Sequence, residues 1–311
     1  MCKIAVIGLG GVGGYIGAAL ANVYEDVTFV VRGARRESIQ KKGLVLHSDV
    51  LGELTVYPKQ VVEHIQEAGP QDYIFVCVKN YSLDEVCLDM EEIVTEDTVI
   101  IPVMNGVDPG DRIREHIDKG MVLDSVIYIL ANANPDFSIT QSSQVMHIHM
   151  GVANAGAKEW DVLKRVEKLM QDAKLDCVAE KDVAQTIWKK YALNCAFNVL
   201  TAYYEAVTEE IRSVPKRLEE YGTLLQEAVD VALAKGVNMP ETYWEEQFVR
   251  FRDKQVGSAT SSLCRDVMAR KNCELETFSG YLVREAKRLG VSVPLSERLY
   301  KELKARVESW N

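Results

Sequence analysis

The sequence has no closely spaced pair of cysteines. Its seven cysteines are scattered singly, without a CxxC pair and without the spacing typical of a zinc site. The stretch "MCKIAVIGLGG" is too short and too glycine-rich for a signal peptide. An odd, dispersed set of cysteines without a secretion signal predicts a reducing, cytoplasmic compartment. The cysteines are Cys2, Cys77, Cys87, Cys177, Cys195, Cys264 and Cys273.

Long apolar runs and a basic excess are also missing. No run approaches the roughly 18 apolar residues of a membrane span, so we expect no membrane association. The formal net charge of −10 argues against a nucleic-acid surface, which needs clustered Lys and Arg. With 47% hydrophobic and 26% charged residues the composition is typical of a globular protein, and 311 residues predict two domains.

Short apolar runs alternate with helical patterns over the first 110 residues. The runs "KIAVIG", "DVTFVVR", "DYIFVCVK" and "TVIIPVMNG" are rich in Val and Ile, as buried strands are. Strands that alternate with helices predict a parallel, doubly wound sheet, which is an α/β fold. Helical periodicity dominates after about residue 180. We therefore predict a Rossmann-type domain over residues 1–180 and an all-helical domain over residues 181–311.

The stretch "VIGLGGVGGYIG" has the spacing of a dinucleotide-binding loop. A GxGxxG motif follows a predicted strand and opens a predicted helix, the context in which the motif binds a pyrophosphate. Gly8 would permit the tight turn, Gly10 would let the backbone approach the phosphates, and Gly13 would let helix and strand pack closely. The alternative is a glycine-rich turn without a ligand. The loop comprises Gly8, Leu9, Gly10, Gly11, Val12 and Gly13.

The residue after the second strand indicates which cofactor binds. An NAD site usually has Asp or Glu about 20 residues past the glycines. This chain has Arg32 there, followed by Arg35 and Arg36. Arginine binds a 2′-phosphate through charge-assisted hydrogen bonds, so the sequence predicts NADP(H), with solvated surface arginines as the alternative.

Two polar residues, Lys79 and Asn105, end predicted strands. Ligands of doubly wound sheets bind outside the carboxyl ends of the strands, where these side chains would lie. Either residue alone is also compatible with a turn, since Asn before Gly is a common turn pair.

A polar stripe runs along an otherwise apolar helix, "IWKKYALNCAFNVLTA". Lys190, Asn194 and Asn198 recur every four positions, so a helix places them on one face. One interpretation is a solvated face. The other is a polar cleft that holds a ligand, because a helix that is apolar on most sides is normally buried.

A second suggestive stretch is "SATSSLCRDVMARKNCELETFSGYLVREAKRLGVSVP". Ser261 and Ser262 are candidate helix caps, and Asn272 is a candidate cap for the following helix. Glu274 would then lie in that helix's first turn, where the helix dipole favours an acid. The spacing alone leaves structural and functional roles equally open.

Taken together, these motifs resemble the ketopantoate reductases (2-dehydropantoate 2-reductases). The resemblance covers nearly the whole chain, and its most specific parts are the "IWKKxxxNCxxNxLTA" helix and "SS…D…E…GYL…A…GVxVP". It implies reduction of the 2-dehydropantoate ketone with NADPH, in pantothenate and coenzyme A biosynthesis. The active site is expected in a cleft between the two domains, without a metal. The expected partners are a small 2-keto acid substrate and a second copy of the chain in a homodimer.

The resemblance also implies roles for individual residues. Lys190 matches the family's proton donor, and Glu274 matches a glutamate near the reacting centre that also contacts the cofactor. Asn194, Asn198 and Ser262 match substrate-binding residues. Lys79, Asn105 and Ala131 fall where the family touches the cofactor, and the resemblance implies that Asn105 binds substrate as well.

The chain departs from the family pattern at Val199, Thr208 and Ser279, so the exact 2-keto acid stays open. The alternatives are an NADPH-dependent reductase of another small 2-keto acid and a non-catalytic dinucleotide-sensing or partner-binding protein. An acyl or phosphoryl transferase has little support, because no nucleophile–base pair and no GxxxxGK[ST] motif is present.

Overall fold

The computed structural model describes residues 2–310 and consists of two compact units, Met1–Ala184 and Gln185–Asn311. The sequence predicts a division between residues 180 and 181. The structure places it in the first turn of the helix Val183–Tyr204, at the point where helical structure begins to dominate. No helix within residues 2–310 is long and apolar enough to cross a membrane.

The first unit is built on a parallel sheet of six strands in the order β5-β2-β1-β6-β7-β8. Its four central strands are buried at every residue except Tyr73, which is half-buried, as expected for parallel strands covered on both faces. The predicted doubly wound α/β fold is therefore confirmed. The strands are β1 (Ile4–Ile7), β2 (Val27–Val30), β5 (Gln60–Val62), β6 (Tyr73–Val76), β7 (Val99–Pro102) and β8 (Met121–Val122).

The two faces of this sheet pack into two separate cores. Ile4 and Val6 of β1 belong to one core, and Ala5 and Ile7 belong to the other, because successive side chains of a strand point to opposite faces. The covering helices are α1 (Gly11–Ala21), α2 (Gly33–Lys42), α3 (Leu83–Glu91), α4 (Pro109–His116) and α5 (Ala157–Asp172).

Two smaller sheets complete the first unit. One has the order β10-β11-β3-β4 and the other the order β13-β12-β9. Their strands are β3 (Leu44–Ser48), β4 (Gly52–Val56), β9 (Asp124–Tyr128), β10 (Ala131–Ala133), β11 (Ile139–Gln141), β12 (His147–Gly151) and β13 (Cys177–Ala179).

The second unit is helical, as the sequence predicts. Pro215 and Pro294 start two of its helices, and Gly290 ends another in the left-handed conformation with φ 71°. Glu227 is buried and accepts hydrogen bonds from the backbone N–H groups of Leu295 and Ser296, which fixes the start of the last helix. The helices are α6 (Val183–Tyr204), α7 (Thr208–Arg212), α8 (Pro215–Ala234), α9 (Tyr243–Lys254), α10 (Ser262–Met268), α11 (Tyr281–Leu289) and α12 (Pro294–Glu308).

Candidate functional site

The glycine-rich loop joins β1 to α1 and has the geometry of a phosphate cradle. Gly8 has φ 88°, which a residue with a side chain rarely adopts. A Cβ on Gly13 would overlap the Gly8 carbonyl, so this glycine sets the close packing of helix on strand. Gly10 is exposed, and a Cβ there would meet no atom within 4 Å. The backbone at Gly10 is thus open to a ligand at the positive end of α1, and the loop fits a pyrophosphate.

The other loop residues support this cradle. The Leu9 side chain is buried in the core, and its carbonyl accepts a 2.7 Å hydrogen bond from Arg35 Nη1. Val12 packs against the same core. A Cβ on Gly11 would overlap the Ala131 carbonyl, so the backbone of β10 lies against the start of α1. The structure therefore brings Ala131 to the glycine-rich loop.

A cleft of about 230 Å³ opens beside this loop, at the carboxyl ends of the sheet strands. Gly8 follows β1, Arg32 follows β2, and Val78 follows β6. Ligands of doubly wound sheets bind at this edge. Loop and cleft together match the chemistry of a dinucleotide.

The three arginines after β2 have different roles. Arg32 is half exposed and occupies the residue before α2 without a side-chain capping hydrogen bond; its guanidinium is paired with Glu85 at 2.7 Å and with Asp89 at 3.4 Å. Arg35 is turned inward to the Leu9 carbonyl, and burial lowers its pKa. Arg36 lies 3.6 Å from Glu63. Sequence reasoning missed these three carboxylates, which line the same cleft as Arg32.

Lys79 and Asn105 lie just after β6 and β7, as the sequence predicts for strand-end residues. Both are half-buried, and Gly106 has φ 100°, which fits the expected Asn-Gly turn. Asn80 is buried and donates a 2.8 Å hydrogen bond to the Asn105 carbonyl, so it joins the two strand-end segments. No motif in the sequence singles out Asn80.

The polar stripe of the second unit lies on α6 and is not a solvated face. Asn198 is only 6% exposed, and Lys190 and Asn194 are half-buried. Burial lowers the pKa of Lys190 to about 8, and the negative charge of Glu274 opposes this shift. Both effects are those expected for a lysine buried beside a carboxylate.

The adjacent lysine points elsewhere. Lys189 Nζ donates a 2.7 Å hydrogen bond to Gln185 Oε1 and lies 6.0 Å from the centre of the Tyr243 ring. One residue along a helix is a rotation of about 100°, which accounts for the separation of the two side chains. Lys189 is half-buried rather than a fully exposed surface charge.

Glu274 is 4% exposed and lies immediately before the helical segment 275–280, which leads into α11. The helix begins at Leu275, and the Glu274 carbonyl accepts from the backbone N–H groups of Thr277 and Phe278. The expectation that Asn272 caps this helix is therefore wrong, because the helix starts two positions later than a cap at Asn272 requires. Glu274 is the residue before the first turn rather than within it.

The segment after Glu274 is a π-helical turn, Glu276–Gly280. Two of its carbonyls are held by α6: Tyr191 Oη donates to Thr277 at 2.9 Å and to Phe278 at 3.0 Å. Cys195 Sγ donates to the Phe278 carbonyl at 3.3 Å. Such turns are rare and often occur at functional sites. Here the side chains of α6 satisfy the carbonyls and fix the chain that carries Glu274.

The start of α10 is tied to α6 through Ser261. Its hydroxyl caps the helix by accepting from the backbone N–H of Cys264 at 3.0 Å, as expected for one of the two serines. Thr201 donates a 2.8 Å hydrogen bond to the same hydroxyl. Ser262 is half-buried at the first position of α10 and is placed by this anchor.

The three departures from the family pattern are all buried. Val199 lies in the apolar part of α6 and Ser279 in the π-helical turn. Thr208 donates from Oγ1 and from its backbone N–H to the Ala259 carbonyl, at 3.1 and 2.9 Å. Thr208 therefore positions the chain that leads to Ser261 and Ser262.

Family models match both units of the chain. The model "Ketopantoate reductase PanE/ApbA" matches residues 4–154, and "Ketopantoate reductase PanE/ApbA C terminal" matches residues 182–307. The chain belongs to the ketopantoate reductase family. The ketopantoate reductase family comprises NAD(P)H-dependent oxidoreductases, so this chain is an oxidoreductase acting on a CH–OH group.

Similar proteins span the full length of this ketopantoate reductase family member. An uncharacterized oxidoreductase of Bacillus subtilis is 29% identical over 301 residues, which cover 97% of each chain. The crystal structure of 2-dehydropantoate 2-reductase from Methylococcus capsulatus is 25% identical, with a TM-score of 0.86 over 98% of this chain and 97% of that one. A D-mandelate dehydrogenase bound to NADH and anilino(oxo)acetate shares the fold, with a TM-score of 0.86 at 19% identity over 99% of each chain.

Glu274→Gln should lower the pKa of Lys190 below its value of about 8, because it removes the charge that opposes the effect of burial. We expect a decrease of roughly one unit. The titration of the lysine side chain, followed by NMR of ¹³C-lysine-labelled protein and assigned with Lys190→Ala, measures it. Glu276→Gln is the matched control, since Glu276 pairs with Arg284 and Lys304. An unchanged or raised pKa in Glu274→Gln would contradict the electrostatic role of Glu274.

Proposed function

We propose that the protein reduces 2-dehydropantoate to pantoate with NADPH. The observation that carries this proposal is the half-buried Lys190 beside the negative charge of the buried Glu274, with two amides on the same helix face as the lysine. This arrangement suits a substrate with a ketone. The lysine can donate a proton to the ketone oxygen, and the amides can bind the polar groups next to the ketone. It is supported by the family and by relatives named 2-dehydropantoate 2-reductase.

A reduced nicotinamide, when bound, supplies hydride to the ketone carbon. Negative charge then develops on the ketone oxygen, and Lys190 Nζ donates a proton to it as general acid. The ammonium also stabilises the developing alkoxide before the proton moves. Lys190 is neutral after the transfer and regains its proton from water. Glu274 keeps the lysine protonated before the reaction by opposing the effect of burial.

Asn194, Asn198 and Ser262 orient the substrate in this proposal. Beside its ketone, 2-dehydropantoate carries a carboxylate and a hydroxyl. The Asn amides and the Ser hydroxyl can donate hydrogen bonds to the carboxylate, and they can donate to the substrate hydroxyl or accept from it. Asn198 is buried, so it suits a substrate group that is taken out of water. Asn105 is proposed as a further contact to substrate.

The cofactor is proposed to bind to the first unit. The glycine loop holds the pyrophosphate, and Arg32 binds the 2′-phosphate. Lys79, Asn105 and the Ala131 backbone are proposed to contact the remainder of the cofactor, and Glu274 to contact it near the reacting centre. The homodimer and the cytoplasmic location stay predictions.

A second candidate is an NADPH-dependent reductase of another small 2-keto acid. Thr208 and Ser279 favour it, because both are buried where the chain leads into the candidate substrate residues or Glu274. The mechanism is unchanged in this case. The fold alone does not distinguish 2-dehydropantoate from other 2-keto acids as the substrate, since a D-mandelate dehydrogenase shares it.

Oxidation of NADPH, followed at saturating cofactor with a panel of 2-keto acids, tests the function. We expect turnover of 2-dehydropantoate, and higher kcat/KM for 2-keto acids with a hydroxyl than for otherwise matched acids without one. Higher kcat/KM for an acid without the hydroxyl would favour the second candidate. If the protein binds NADPH and reduces no member of the panel, the reductase proposal is wrong.

Lys190→Ala should lower kcat by roughly 10²–10⁴-fold, the usual contribution of a positioned general acid. The affinity for NADPH should persist, because the residues proposed to hold its phosphates lie in the first unit. Steady-state kinetics and a nucleotide titration measure the two quantities.

Lys189→Ala is the matched control for this prediction. It removes an identical charge from the neighbouring position, where the lysine contacts Gln185 and Tyr243. We expect kcat to change by less than about threefold, as for substitutions away from the chemistry. Equal losses in the two variants would indicate damage to α6, and a larger loss in Lys189→Ala would contradict the assignment of the stripe.

A further inference from the structure

The arginine proposed to read the 2′-phosphate is already paired with carboxylates. Arg32 Nη1 lies 2.7 Å from Glu85 Oε1, and Nη2 lies 3.4 Å from Asp89 Oδ2. Both carboxylates lie on α3, one helical turn apart, and line the cleft that also contains Gly8. A phosphate can bind the guanidinium fork only by displacing at least part of this pairing.

The charge around Arg32 is not the positive surface that a phosphate site usually has. Arg32 and Arg36 supply two positive charges, while Glu63, Glu85 and Asp89 supply three negative ones. His64 lies 3.5 Å from Asp89 and adds a positive charge only when it is protonated. A 2′-phosphate brings close to two further negative charges to this surface.

We propose that Glu85 and Asp89 determine cofactor specificity by competing with the 2′-phosphate for Arg32, which narrows the preference for NADPH over NADH. The inference rests on the proposed use of NADPH. In an NAD site an acidic residue at the end of the second strand disfavours the phosphate. In this protein Arg32 is at that position, and α3 brings the acidic side chains of Glu85 and Asp89 to it. The cleft therefore combines a group that attracts the phosphate with groups that oppose it.

Magnitudes decide the direction of the net preference. A charge-assisted contact to phosphate is worth roughly 10- to 150-fold in affinity. Exposed ion pairs are worth much less, about two- to fivefold each. The Arg32 and Glu85 side chains are 51% and 61% exposed, so their pair belongs to the weaker class. NADPH remains favoured, and the carboxylates reduce the preference without reversing it.

The dissociation constants of NADPH and NADH, measured by nucleotide fluorescence at one fixed salt concentration, test the proposal. Glu85→Gln should tighten NADPH binding by about two- to fivefold with little change for NADH, and Asp89→Asn should do the same more weakly. Glu91→Gln is the control: it removes a carboxylate from an exposed position on the same helix and should change neither constant.

The variants Arg32→Ala and Arg32→Ala/Glu85→Gln test whether Glu85 acts through the arginine. Without Arg32, the gain in NADPH affinity from Glu85→Gln should shrink to less than twofold. A gain of full size would show direct repulsion of the phosphate and overturn the competition. Equal changes for NADPH and NADH, or weaker NADPH binding in Glu85→Gln, would also overturn it.

Binding and turnover separate this inference from the proposed function. If the pattern of dissociation constants is found and no 2-keto acid is reduced, the inference stands and the reductase proposal fails. If 2-dehydropantoate is reduced and Glu85→Gln leaves both constants unchanged, the reductase proposal stands and the inference fails. If the unmodified protein binds neither nucleotide, both are wrong.

Discussion

The proposed chemistry depends on one electrostatic balance, between the burial of Lys190 and the charge of Glu274. Burial removes water from the ammonium and lowers its pKa to about 8, which makes the proton easier to transfer near neutral pH. Burial without a counter-charge would lower the pKa further and leave a smaller fraction of the lysine protonated at neutral pH. Glu274, itself only 4% exposed, opposes that outcome. A proton donor at this position therefore needs both residues.

Much of the second unit serves to hold these two side chains. Successive faces of α6 have different tasks: Lys190, Asn194 and Asn198 form the polar stripe, and Tyr191 and Cys195 hold the carbonyls of the π-helical turn. That turn begins two residues after Glu274, so one helix carries the proposed donor and also holds the chain next to its proposed counter-charge. Thr201, on α6 as well, anchors Ser261 and with it the start of α10.

The fold was largely predictable from the sequence, because it follows local rules. Val- and Ile-rich runs between helical patterns predicted the parallel sheet, and Pro215, Gly290 and Pro294 marked the ends of helices. The tight turn at Gly8 and the close packing of helix on strand at Gly13 followed from the spacing of the motif. The separation of Lys189 from Lys190 followed from helix geometry.

What sequence reasoning missed depends on contacts between distant parts of the chain. Arg32 was read as a free phosphate-binding group, but Glu85 and Asp89 lie 53 and 57 residues further along and meet it only in the folded unit. The sequence predicts a helix start after Asn272, but the helix begins at Leu275 and continues as a π-helical turn that is held by Tyr191, 86 and 87 residues away in sequence. No local pattern carries either fact.

The pH dependence of kcat/KM for 2-dehydropantoate reduction, at saturating NADPH, tests the central claim most directly. A general acid must be protonated to act, and the pKa of Lys190 is about 8. The account predicts a constant value below that pH and a decrease approaching tenfold per pH unit above it. The decrease should be absent from the residual activity of Lys190→Ala. A rate that stays constant up to pH 10, or a decrease that persists in Lys190→Ala, would contradict the assignment of Lys190 as the proton donor.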